Sequence, residues 1–400
     1  MTTSETVTGR GGAGPLRAAV SGSTTTRSTT TGWAALGADT MLSREPLMNL
    51  RDRWEYEDGL MLNGVWAVHR LTGDPRYRDY VRRNIDHFVR EDGSILGYDR
   101  EDYNLDHLNN GKAVLDLLEE TGDPRYRLAA DRLFDQIKRQ PRLRAGTFWH
   151  KRIYPDQVWL DGLYMGSVFY ARYCVLTGHD DLLDDVVLQF TSAYELTLEG
   201  PSGLCRHACD ESRRMPWADP QTGRSPHVWL RALGWFVMAM ADVLEHLPRA
   251  HPGHATIRRQ LEDVLTALLR VRDPRTGLWF QIPDQGERPL NYLESSGSLM
   301  VLAAIATSLR RGYLAGPDWE QALDRGWAHA TDEFLSVDAQ GWVNVHRMCH
   351  VGGLGGVPYR DGSYSYYMSE PIVTNDHKGV GPFLLLAAEM QRREDERTAP

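Results

Sequence analysis

The chain has 400 residues, 42% of them hydrophobic and 25% charged, with 45 basic against 54 acidic side chains and a formal charge of −9. Acids and bases are interspersed, which argues against a nucleic-acid or anionic-membrane surface and leaves any anionic ligand in need of a local basic pocket. No stretch approaches the ~20 continuous apolar residues of a membrane span.

In chain order, residues 1–32 are rich in Thr, Ser and Gly, lack the apolar core of a signal peptide, and read as a disordered tail before one domain at residues 33–394. The segment "TGDPRYR" occurs at Thr72–Arg78 and again at Thr121–Arg127, with an echo "TGHDD" at Thr177–Asp181. In each copy Gly can end one helix, Asp can cap the next, and Pro suits its first turn. Helical hairpins that recur about every 50 residues are the mark of a stacked α-array.

Twelve helices are predicted, starting near 33, 55, 75, 106, 124, 157, 180, 226, 251, 291, 318 and 375. The third has a one-sided apolar stripe, Val81, Ile85, Phe88 and Val89, whereas the eighth, His227–Leu247, is apolar around nearly its whole circumference. The even-numbered helices are the apolar ones. Six inner and six outer helices in alternation describe an all-α (α/α)6 barrel, a closed relative of the hairpin solenoids. "GLWFQI" from Gly277 and "GWVNVHRM" from Gly341 read as short β excursions in loops.

Polar and aromatic residues collect near the inner-helix starts: "WEYEDG" (54–59), "YNLDHLNNGK" (103–112), "QVWLDG" (157–162), "SPHVWLRALGW" (225–235), "YLESSGS" (292–298) and "NDHKGVG" (375–381). An alternating toroid opens all six on one face. Trp54, Tyr56, Trp159, Trp235 and Tyr292 offer flat surfaces for a sugar ring, although each alone reads as readily as a core residue. Two carboxylates stand out, Asp106 and Asp161, because paired acids across a sugar are the equipment of glycoside cleavage. Apolar neighbours Val158, Trp159, Leu160, Leu163, Tyr164 and Met165 would raise the pKa of Asp161 toward that of a general acid. Asp106 is explained equally well as a helix cap, whereas Asp161 has a rival cap in Asp156.

The long connection Gly203–His227 carries His207, Arg213 and Trp217 to the rim. Arg231, four residues before Trp235 on the eighth helix, needs an anionic partner if buried. Cys205, His207 and Cys209 lack metal-ligand spacing, and four cysteines form no disulfide framework, so no metal is expected and a reducing, cytoplasmic compartment suits the chain. No nucleotide or phosphate motif appears, so no cofactor is expected, and oligomeric state leaves no trace.

Taken together, "FWHKRIYPDQVWLDGLYMG", "HACDESR", "WADPQTGRSPHVWLRALGW", "YLESSGS" and "DGSYSYYMSEPIVTNDHKGVGPFLLLAAEM" resemble the unsaturated rhamnogalacturonyl hydrolases of glycoside hydrolase family 105 over about residues 54–390. The resemblance implies an (α/α)6 barrel and hydration of the C4=C5 double bond in a terminal unsaturated uronic acid, with release of the neighbouring sugar, typically rhamnose. It places the catalytic acid/base on Asp161 and an assisting carboxylate on Asp106. It also matches His150, Lys151, Trp159, His207, Arg231 and Trp235 to family positions, with Arg231, Lys151 and His207 as candidates for holding the uronate or substrate hydroxyls. Ala208 and Cys209 depart from the family pattern beside His207. The partner implied is a small unsaturated oligosaccharide. Alternatives are an unsaturated glucuronyl hydrolase for glycosaminoglycan or ulvan fragments, a sugar epimerase or isomerase built on paired histidines, and a non-catalytic carbohydrate-binding protein.

Overall fold

In the computed structural model, which describes residues 32–49 and 51–398, the repeated punctuation shapes the chain as its chemistry predicts. Gly73 and Gly122 take left-handed backbone at φ 70° and 68° and close one helix. Asp74 and Asp123 then accept the backbone N–H two residues on, with Pro in the first turn of the next helix. Residues 1–31 of the expected tail lie outside the described residues.

The helices in chain order are α1 (Trp33–Arg44), α2 (Tyr56–Thr72), α3 (Pro75–Phe88), α4 (Gly111–Thr121), α5 (Pro124–Arg139), α6 (Val168–Thr177) and α7 (Leu183–Thr197). They continue as α8 (Leu230–His246), α9 (Pro252–Arg270), α10 (Ser295–Arg311), α11 (Pro317–Phe334), α12 (Tyr364–Ser369) and α13 (His377–Thr398). Helices α2, α4, α6, α8, α10 and α13 each pack on the next, and α13 packs back on α2, so the inner ring is closed. The remaining long helices form the outer layer, and the protein is an (α/α)6 toroid.

Burial follows the sequence pattern. Fourteen of the 17 residues of inner α8 are buried, against six of the 14 in outer α3. An inner helix meets neighbours on every side and therefore has no polar face to spare. Where α2 and α13 close the ring they approach too nearly for side chains: a Cβ at Gly64 would lie 2.8 Å from the Gly381 carbonyl oxygen. One apolar core runs from Ala34 to Met390.

Three departures from the predicted elements matter for the site. The start of the fourth predicted helix, the second of the inner ring, expected near 106, is a 3-10 turn at Leu105–Leu108, with the helix proper beginning at Gly111. The sixth, expected near 157, opens instead as strand β1 (Gln157–Trp159), antiparallel to β2 (Ala208–Asp210), then a π-turn (Leu163–Ser167) before α6. "GLWFQI" makes only an isolated bridge, Phe280 to Leu293, whereas the residues after Gly341 do form strands. These are β4 (Val343–Val345), paired with β3 (Leu335–Val337), and β5 (Met348–Cys349), paired with β6 (Ile372–Val373). The short α12, inside the long α11–α13 connection, was not among the twelve predicted helices.

Candidate active site

Strand β1 exists to carry two side chains. Its register pairs Trp159 with Ala208, and the ladder continues as the Leu160 N–H donates to the His207 carbonyl at 3.1 Å. One residue further, Asp161 meets His207: Nε2 lies 3.3 Å from Asp161 Oδ2. His207 is fully buried, while the Asp161 side chain is 14% exposed. Among the described residues no Lys or Arg lies within ion-pair distance of Asp161. The setting differs from the apolar one its sequence neighbours implied. Those neighbours pack into the core, and the groups that face or feel Asp161 are polar: His207, Tyr56, His150, Lys151 and Tyr367.

Asp106 has the opposite surroundings. Lys151 Nζ sits 2.5 Å from its Oδ2 and His150 Nε2 3.6 Å from its Oδ1. Burial pushes the Asp106 carboxyl up, but Lys151 and then His150 pull harder the other way, so it is held below the ordinary carboxylate range. Lys151 is raised in turn by Asp106, against burial. His150 is pushed down to about 4, chiefly by burial, and is neutral at pH 7. Helix capping does not explain Asp106, because Asn104 accepts its backbone N–H and fills that role. Nor is Asp156 a cap for the sixth helix; it adopts φ 59° and pairs with Arg214.

His150 and Lys151 both feel Asp106 and Asp161, as does Tyr56 at the first residue of α2, which gathers these five groups around one site. Burial raises the Tyr56 phenol well above its ordinary value and keeps it protonated. Trp159, 4% exposed, is packed among aromatic neighbours: His150 stacks on it at 4.9 Å and Tyr154, which the sequence did not single out, at 4.8 Å.

Other predicted contacts move behind the site. Trp54 is buried against Phe88 and donates Nε1–H to the His107 carbonyl, so it anchors the turn that carries Asp106 rather than offering a face. Trp235 is buried between Tyr56 and Tyr164 as a plug in the barrel axis. Arg231 is buried without a carboxylate at ion-pair distance. It donates to the carbonyls of Cys349 and His350 and to Ser296, and lies over the Trp229 ring. Backbone carbonyls thus stand where a protein carboxylate was one of the two partners expected for it; the other, the substrate, is untouched by these contacts. Tyr292 is half-buried, with its phenol near Cys349, Glu294 and Arg231. Arg213 is exposed in its loop, and Trp217 is buried with Trp159, Ala208 and Leu354. Burial pushes the Cys205 thiol up to about 12 and Cys209 up to about 11, keeping both protonated. Among the described residues no cluster of three His, Cys, Asp or Glu could hold a metal ion, and no helix is long and apolar enough to cross a membrane.

The sequence profile described as Glycosyl Hydrolase Family 88 matches residues 31–394. The chain belongs to this family. A glycoside hydrolase of family 105 from C. acetobutylicum ATCC 824 superposes with a TM-score of 0.87 at 43% identity, over 90% of this chain and 99% of that one. Protein Atu3128 of Agrobacterium fabrum is 38% identical over 230 residues, 56% of this chain and 97% of that protein. The unsaturated rhamnogalacturonyl hydrolase YesR of Bacillus subtilis is 27% identical over 261 residues, 64% of this chain and 71% of YesR. The resemblance drawn from the motifs therefore stands, and the toroid is that of a family 88/105 glycosidase.

Further polar side chains, none singled out as a candidate in the sequence, lie around these groups. Lys378, at the start of α13, pairs with Asp376 at 2.8 Å and Glu57 at 3.5 Å, and Asp106 lies close enough to help raise the Glu57 carboxyl. Beside them a cavity of about 730 Å³ is lined by Asn49, Glu57, Asp58, His350 and His377 among others. Tyr367 of α12 reaches His207 from the far side of the ring, Oη to Nδ1 at 2.8 Å. The polar helix starts "WEYEDG" and "NDHKGVG" hinted at the first group, and Tyr367 lay within the quoted segment "DGSYSYYMSEP" with nothing to set it apart from its neighbouring tyrosines.

Proposed function

We propose that this family 88/105 glycosidase removes a 4,5-unsaturated uronic acid from the non-reducing end of a small oligosaccharide by hydrating its C4=C5 double bond. The observation that carries the reading is the unequal environment of the two carboxylates. Asp106 is locked as an anion by Lys151 at 2.5 Å, while Asp161 faces only a histidine and leaves Oδ2 without a hydrogen bond. Two acids with such different partners suit two roles. Asp161 is the proton donor to C4 and, as the carboxylate, the base that takes a proton from the water adding at C5. Asp106 orients that water or the sugar hydroxyls. Hydration gives a hemiketal at C5, which opens and releases the neighbouring sugar.

Trp159 forms a stacking wall for the sugar, with Tyr56 beside the carboxylates, and Lys151 is the most exposed of the cations proposed for the uronate, at 22%. Arg231, 1% exposed and committed to carbonyls, shapes the floor instead. The likeness to YesR supports a galacturonyl-rhamnose substrate. The test is loss of ultraviolet absorbance from unsaturated galacturonyl-rhamnose. Asp161→Asn keeps the fold and abolishes the loss; an active Asp161→Asn enzyme overturns the mechanism. A panel of unsaturated disaccharides compared by kcat/KM separates this substrate from glucuronyl fragments of glycosaminoglycan or ulvan.

A further inference from the structure

His207 is fully buried between the rings of Trp159 and Trp229; its Nδ1 is hydrogen-bonded to Tyr367 Oη at 2.8 Å, while its Nε2 lies 3.3 Å from Asp161 Oδ2 with no hydrogen bond formed at either atom. Tyr367 is itself fully buried, on the short α12, stacked on Trp229 at 5.9 Å. Among the described residues its hydroxyl makes only this one hydrogen bond. That single bond decides the direction of the proton. If Nδ1 carried the hydrogen, the buried phenol O–H would be left without a protein acceptor among the described residues, which is costly. If the phenol donates, Nδ1 is the acceptor and the imidazole proton must sit on Nε2. Nε2–H is then a donor 3.3 Å from Asp161 Oδ2, and among the described residues neither atom has a hydrogen-bond partner, so a small rotation of either side chain joins them.

We propose that Tyr367 is a positioning residue: its hydroxyl fixes His207 as the Nε2–H tautomer, making the imidazole a hydrogen-bond donor to Asp161 Oδ2. The catalytic part rests on the reading of Asp161 as acid and base; the tautomer does not. A donor at Oδ2 holds the carboxyl in one orientation, steers its proton onto the other oxygen, and strengthens when Asp161 becomes the carboxylate after giving up that proton. Tyr367 thereby acts on the reaction through two intervening groups without touching substrate.

The experiment is ¹⁵N-histidine NMR of the full chain, with His207→Gln used to assign the His207 signals, alongside kinetics of Tyr367→Phe. The wild type is expected to show His207 as Nε2–H, and Tyr367→Phe to show a mixture of tautomers. With an unsaturated disaccharide that the wild type turns over, Tyr367→Phe lowers kcat roughly 10- to 100-fold at nearly constant KM, the scale of one hydrogen bond to a charged group. A wild-type His207 protonated on Nδ1, or on both nitrogens, overturns the tautomer assignment. An unchanged tautomer or an unchanged kcat in Tyr367→Phe overturns the positioning role. The NMR result stands whatever the substrate proves to be, so failure of the hydrolase reading and failure of this inference are separately visible.

Discussion

Each end of the barrel holds a lysine and an aspartate, one of the two buried and the other half-buried, and the two pairs behave in opposite ways. At the inner-helix starts Lys151 and Asp106 touch at 2.5 Å, and each is shifted toward its charged form. At the other end Lys112 and Asp242 share a cavity of about 920 Å³ but make no ion pair within 4 Å. Lys112 lies 3.3 Å from the centre of the Tyr164 ring and donates to the Tyr164 carbonyl. Burial shifts Lys112 down and Asp242 up, each toward its neutral form. Burial is common to both ends; contact is what differs, and contact decides whether the cost of desolvating two charges is offset. The cavity of about 920 Å³ is lined by neither Asp106 nor Asp161.

After the abolished activity expected of Asp161→Asn, the largest effect comes from removing the front carboxylate of this comparison: Asp106→Asn lowers kcat by roughly 10²–10⁴-fold, the range of a lost acid/base or water-orienting group. Lys151→Met follows. It leaves Asp106 buried with only His150 beside it, and is expected to cost about 10²-fold in kcat/KM and about 3 kcal/mol in urea unfolding. A fully active Lys151→Met would erase the distinction between the two ends. At the back, the double variant Lys112→Met with Asp242→Leu replaces an uncompensated pair by apolar groups of similar size. Its kcat/KM stays within about twofold of wild type, and its stability is unchanged or higher by about 1–4 kcal/mol.

The pH dependence of stability sharpens the same contrast. Asp106, lowered, contributes stability that is present above the ordinary carboxylate pKa of about 4 and lost only as pH falls through its lower folded value. Asp242, raised, has the reverse sign: the native state holds its proton more tightly, so stability falls as pH rises above about 4 toward the raised value. Lys112, lowered, binds its proton less well in the native state, so stability climbs from its lowered value toward about 10. Melting temperature against pH should therefore flatten near neutrality in the back double variant. An unchanged profile would show that the back pair carries no such linkage.

Much of this architecture was legible because its signals are local. The "TGDPRYR" copies set helix ends within seven residues, and circumferential burial told inner helices from outer ones over a few turns. The candidate site was legible as a set of helix starts, but its pairings were not. Asp106 meets a lysine from the loop after α5, and His207 meets Tyr367 from α12, contacts that no periodicity encodes. The six residues of α12 are too few for a helical period to show, and "QVW" carries no alternation that would distinguish a strand from a helix start. Trp54 and Trp235 looked like sugar platforms because indoles at a pocket mouth and indoles behind it have the same sequence. Only packing against Phe88, Tyr56 and Tyr164 separates them.

The smallest expected effect concerns a third buried cation, where contact is again good but the site is peripheral. His377, at the first turn of α13, sits 2.9 Å from Glu45 and 3.3 Å from Asp58, tying α13 to the end of α1 and the start of α2. Burial alone would lower its pKa, but hydrogen bonds to Asp58 and Glu45 and their charges raise it to about 9. A raised histidine contributes stability that is fully present below its unfolded value of about 6.5 and lost as pH climbs through about 9. His377→Gln cannot carry that charge, so its deficit in melting temperature against wild type should be largest at pH 6 and shrink by pH 9.5. A deficit of about 1–2 kcal/mol fits a partly exposed pair of contacts better than the 3–5 kcal/mol of a wholly buried one. Equal deficits at both pH values would mean that His377 holds the ring closure by shape rather than by charge. The ordered contrast would then be between paired and unpaired sites at the two barrel ends alone.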